Sequence, residues 1–97
     1  MNYLVNISLQ VLPSSESKHP YDIVDKAIEV IAASGIKYKV CPFETVMEGN
    51  YDDIMQVIKK VFIECMEYGA ESIFSNIKVQ INSKKDVFIE DKTGKYE

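Results

Sequence analysis

The chain has 97 residues, 46% of them hydrophobic, and a formal net charge of −4, which fits one small domain over residues 1–97 with an ordinary core. All eleven basic residues are lysines. Without arginine forks or excess positive charge, the composition argues against nucleic acid as a partner and against phosphate chemistry.

YLVNISLQVL, residues 3–12, alternates in polarity. Val5, Ile7, Leu9 and Val11 fall on one face and Asn6, Ser8 and Gln10 on the other, the pattern of a half-buried strand. PSSESKHP, residues 13–20, is a polar loop, and Pro20 suits the first turn of a helix. Ile23, Val24, Ala27, Ile28 and Ile31 recur at helical spacing, with Asp22 and Asp25 near the positive end of the helix dipole. Ser34-Gly35 supplies the stop.

IKYKVC, residues 36–41, reads as a second strand and PFETVMEG, residues 42–49, as a third. Parity in the third strand assigns Phe43, Thr45 and Met47 to the core face and Glu44, Val46 and Glu48 to the opposite face. Gly49-Asn50 turns the chain, and Asn50 caps a helix whose Ile54, Val57, Ile58, Val61, Phe62, Cys65 and Met66 step by threes and fours. Gly69 closes it. SIFSNIKVQIN, residues 72–82, is a fourth strand, with Ile73, Ile77, Val79 and Ile81 on one face and Phe74, Asn76, Lys78 and Gln80 on the other. Residues 83–97 are charged and less regular, either a short extra element or a frayed tail.

The order β-α-β-β-α-β with right-handed crossovers predicts an α+β, ferredoxin-like sandwich. Two helices cover one face of a four-stranded antiparallel sheet of order 4-1-3-2, and the other face is open. That open face carries Asn6, Ser8, Gln10, Glu44, Val46, Glu48 and Phe74. It reads as a solvated face, a wet subunit interface or a small-molecule site. RNA-module stacking is excluded, because Asn6, Ser8 and Gln10 occupy positions where such modules need aromatics. Glu44 and Glu48 lie about 13 Å apart along the strand, too far for a tight acid/base pair.

No nucleophile, base and orienting group assemble, so no enzyme is expected. His19 is a lone loop histidine, and the acids at 22, 25, 52 and 53 are explained as helix N-terminal charges, so no metal is expected. Cys41 and Cys65 form no CxxC pair. With no signal peptide and no run of about 18 apolar residues, the expectation is a cytoplasmic protein without a membrane partner.

Four segments, SLQVLP (8–13), SGIKYKVCPFETVMEG (34–49), EYGAESI (67–73) and NIKVQI (76–81), together resemble the thiamine-binding protein family. These are small ferredoxin-like proteins related to YkoF-like hydroxymethylpyrimidine/thiamine-binding domains. The resemblance implies non-enzymatic binding of thiamine or its hydroxymethylpyrimidine moiety at the open sheet face or a subunit boundary, with no separate cofactor. It also implies self-association to a dimer or tetramer. The alternative is a homo-oligomeric interaction protein without a small ligand. The matching pattern carries Gln10, Pro13, Ser34, Thr45, Glu48 and Gly49. Val46 stands where relatives often have threonine, and NSKKD after Ile81 where they often have arginine. The candidate binding residues are Ser8, Gln10, Ser34, Thr45, Glu48 and Phe74, with Glu48 opposite the thiamine amino group or cation and Phe74 stacking on a ring.

Overall fold

The computed structural model describes residues 2–97. Its elements are β1 (Val5–Ser14), α1 (Pro20–Ala33), β2 (Lys37–Val40), β3 (Thr45–Gly49), α2 (Tyr51–Tyr68), β4 (Ser72–Gln80) and α3 (Ile89–Thr93), the last followed by a 3₁₀ turn, Gly94–Tyr96. The strands form one antiparallel sheet in the order β2-β3-β1-β4, the expected order read from the opposite edge. Among the described residues three helices are present rather than two.

Local chemistry sets the main boundaries. At the start of α1, His19 Nδ1 accepts from the Tyr21 N–H at 3.1 Å, and Pro20 fills a first-turn position where an N–H would be unused. Asn50 Oδ1 accepts from the Asp52 and Asp53 N–H groups at 3.0 and 3.3 Å and so starts α2. The helix ends at Gly69, whose φ of 138° is open to glycine and hostile to a side chain. A Cβ there would meet Lys18 Cγ at 2.8 Å.

The β2–β3 connection is longer than the alternation predicts. Pro42 has no N–H to give to a ladder, and the Cys41 N–H closes the turn onto the Glu44 carbonyl at 2.8 Å. Phe43 therefore sits in the turn with 78% of its surface exposed, which corrects its expected place in the core. Thr45 and Met47 do face the helices, and both are buried.

The core joins Val5, Ile7, Leu9 and Met47 of the sheet to Ile23, Ala27 and Ile31 of α1 and Ile54, Ile58, Val61 and Cys65 of α2. Burial pushes the Cys65 thiol above its ordinary value, as suits a packing residue rather than a nucleophile. The helices centre on β1 and β3, so the edge strand β4 overhangs them. Ile77 and Val79 point to the helix side but remain partly in water.

Replacing Asn50 by alanine leaves two α2 N–H groups without their acceptor. The expected cost is about 1 kcal/mol, or a fall of roughly 4–8 °C in Tm, measured by thermal unfolding.

Candidate functional site

The sheet face away from α1 and α2 is only partly open. Parity and register bring Lys37 and Lys39 of β2, Val46 and Glu48 of β3, Asn6, Ser8 and Gln10 of β1, and Asn76, Lys78 and Gln80 of β4 onto it. The C-terminal segment returns across one end of this face. Val87 N–H donates to the Leu4 carbonyl at 3.0 Å, and Asp86 Oδ1 accepts from the Leu4 N–H at 2.8 Å. Asn6 Nδ2 donates to the Val87 carbonyl at 3.0 Å. Glu48 Oε1 accepts from the Ile89 N–H at 2.7 Å, the first N–H of α3. Lys92 pairs with Gln80, and Lys39 with Glu97. The last contact lowers the Glu97 carboxyl pKa and raises that of Lys39, each through its partner.

A cleft of about 320 Å³ remains between α3 and the sheet. Asn6 and Ser8 line it from β1, Val46 from β3, Lys78 from β4, and Ile89 and Thr93 from α3, with Glu44 at one side. Two of the polar side chains that line it keep a group without a partner among the described residues. Asn6 is 4% exposed, and its amide donates to Val87, yet its Oδ1 is enclosed with no hydrogen bond among the described residues. A buried acceptor in that state costs stability until a donor reaches it. Ser8 is 8% exposed, and its hydroxyl bonds to no described residue. The charged lining residues are Glu44, Lys78 and Lys92, with Lys78 3.7 Å from Glu44, and beside the cleft Glu48 lies 3.4 Å from Lys37.

The six candidate residues do not converge. Ser8 is in the cleft. Glu48 is beneath α3, with its carboxylate already engaged, and it shapes the wall of the cleft. Gln10 Oε1 accepts from Asn76 Nδ2 at 2.9 Å further along the face, and Phe74, opposite Leu12, lies beyond it with 67% of its surface exposed. Thr45 is on the other side of the sheet. Ser34 ends α1, donating to the Ile31 carbonyl at 2.6 Å and accepting from the Ile36 N–H at 3.1 Å.

Alternation along the four strands does not point to the C-terminal wall. Its sequence signal is brief: the apolar triplet Val87-Phe88-Ile89, then Glu90 and Asp91 placed as first-turn acids of a short helix. Among the described residues, no cluster of three or more metal-ligating side chains forms, and no helix is long and apolar enough to cross a membrane.

Comparison with known proteins agrees with this architecture. The model of a family described as thiamine-binding protein matches residues 7–97. The UPF0045 protein CPE1503 of Clostridium perfringens is 44% identical over 91 residues, which is 94% of this chain and 95% of that one. A solved Bacillus cereus domain of unknown function, DUF77, superposes with a TM-score of 0.93 at 37% identity, covering 98% of this chain and 91% of that one. A Thermotoga maritima protein proposed for thiamine biosynthesis or salvage superposes with a TM-score of 0.88 at 29% identity, covering 97% and 99%.

The two ways of neutralising Glu48 separate its contacts. Glu48→Gln keeps an oxygen for the Ile89 N–H and loses an ion pair whose lysine is exposed, at an expected cost of about 0–1 kcal/mol. Glu48→Ala leaves that N–H without its acceptor and costs about 1–3 kcal/mol. Denaturant unfolding of the two variants measures the difference, and equal costs would contradict the anchoring role.

Proposed function

We propose, from the premise that the chain belongs to the thiamine-binding protein family, that it binds thiamine or its hydroxymethylpyrimidine moiety in the cleft between α3 and the sheet. The observation that carries this reading is the enclosed, unpartnered Asn6 Oδ1 beside the free Ser8 hydroxyl. An aminopyrimidine offers the complement: an amino group that donates and ring nitrogens that accept. Val46 and Ile89 provide apolar contact for the ring. Glu44, at the edge, faces the thiazolium cation once it exchanges Lys78 for the ligand. Glu48 acts indirectly, by holding α3 as the wall. Gln10, Phe74, Ser34 and Thr45 lie outside this pocket.

The function proposed is binding without a catalytic step, by a single ferredoxin-like domain in the cytoplasm, where the two unpaired cysteines would stay reduced. The domain self-associates. β4 is a nine-residue edge with one side of its ladder unpaired among the described residues, and Ile77 and Val79 on it and Ile81 just past its end are 38%, 44% and 48% exposed. The same observation favours the second reading, an assembly protein whose sheet serves only subunit contacts.

Isothermal titration with thiamine and with hydroxymethylpyrimidine tests the first reading. Saturable heat is expected, and Ser8→Ala should weaken binding by about three- to tenfold. Absent heat at millimolar ligand would leave the assembly reading. Light scattering tests self-association: a mass of two or four times 11.1 kDa is expected, and a monomer would refute it.

A further inference from the structure

The helix side of the sheet holds a second cavity. It opens between α1 and the β2–β3 turn and encloses about 90 Å³. Leu9 forms its floor, and Ala27, Ile28 and Ile31 form its helix wall. Phe43 and Glu44 stand at its rim. Thr45 also lines it and is out of character there. It occupies a core-facing position of β3, two residues before the fully buried Met47, and is itself 6% exposed.

The Thr45 hydroxyl makes no hydrogen bond to any described residue. Among those residues, Asn6 Oδ1 is the one fully enclosed side-chain oxygen or nitrogen without a partner, so the Thr45 oxygen is not sealed in. Thr45 lines the slot. Buried hydroxyls ordinarily find a partner, and here the protein provides none.

The rest of the lining restricts the partner. Apart from Cys41, Phe43 and Thr45 the walls are aliphatic, and the single charged lining residue is a carboxylate, Glu44, so carboxylates and phosphates are disfavoured. The enclosed space is smaller than the roughly 150 Å³ cavity that takes up a whole benzene molecule. A ring would therefore enter edge first, with its outer part in the mouth. Phe43, 78% exposed at that mouth, is placed to cover it.

We propose that this slot is a second binding site, separate from the outer-face cleft, for a neutral six-membered aromatic ring carrying one hydrogen-bond donor, an aromatic amine or phenol, which donates to the Thr45 hydroxyl. The site does not depend on the thiamine reading. It lies on the other side of the sheet and shares only Glu44 with that cleft.

Methyl-resolved NMR titration of the full chain tests it, with aniline as probe, toluene as the same shape without a donor, and benzoate as the anionic control. Aniline should shift the Ile28 and Ile31 methyls saturably. Toluene should bind about three- to tenfold more weakly, and benzoate should shift neither methyl. Thr45→Val keeps the shape, removes the acceptor and should weaken aniline by the same factor. Its fold should be at least as stable, since an unpartnered hydroxyl is lost. Ser8→Ala should leave aniline binding unchanged, and saturating thiamine should not displace it.

Unmoved methyls, equal affinity for toluene, binding of benzoate, an unaffected Thr45→Val variant or displacement by thiamine would each overturn the proposal. Failure of the thiamine reading would appear separately, as a Val46 methyl that thiamine does not move.

Discussion

Two helices on one side of a four-stranded sheet leave the other side without a layer, and the carboxylate of Glu48 determines how that side is completed. Its hydrogen bond to the Ile89 N–H holds the first turn of α3 against the sheet. Asn6 secures the preceding residues through the Val87 carbonyl, and Leu4 extends β1 toward Asp86 and Val87. The Glu48 contact joins residues 41 positions apart and the Leu4–Asp86 and Asn6–Val87 contacts join residues 82 and 81 apart, and together they convert a flat polar face into one with a wall. A flat sheet face offers a small ligand little burial, whereas a wall standing on it creates a concave site.

The same arrangement explains why the polar groups of this face divide into two kinds. Glu48, Lys37, Gln80 and Lys92 are paired with one another or with α3, and they fix structure. Asn6 is divided within one side chain: its amide nitrogen anchors the wall, and its oxygen is left over, enclosed without a partner among the described residues. Ser8, two residues along the same strand face, adds a free hydroxyl. The buried acceptor without a partner lowers stability, whereas the Ser8 hydroxyl is not sealed in and carries no such cost. Across the sheet, the Thr45 hydroxyl stands in the same relation to an apolar slot.

Much of the fold was legible in the sequence because it rests on periodicity. β1 and α2 have long unbroken patterns, and Asn50 and Gly69 mark the ends of α2 with distinct chemistry. The strand order followed from the element order. Phe43 was misplaced because alternation was extended through Pro42, where the ladder cannot continue. The C-terminal wall was not legible, since a five-residue helix has too few turns to show a stripe and its docking depends on long-range hydrogen bonds. The site followed the same division. Parity places Ser8 on the outer face, where the register puts it. Glu48 was correctly placed on the outer face, but its engagement by Ile89 required knowledge of the tail. Asn6 is on the expected face, and nothing in the sequence distinguishes its orphaned oxygen from the Gln10 oxygen, which accepts from Asn76. Thr45 and Ser34 entered through family resemblance, which preserves positions without stating which side of the sheet they face.

The most direct measurement of the central claim is a crystal structure of the protein grown with thiamine. The account predicts ligand density between α3 and the sheet, with the pyrimidine amino group within about 2.7–3.2 Å of Asn6 Oδ1 and the ring against Val46. Density at any other place, or an empty cleft at saturating thiamine, would contradict it.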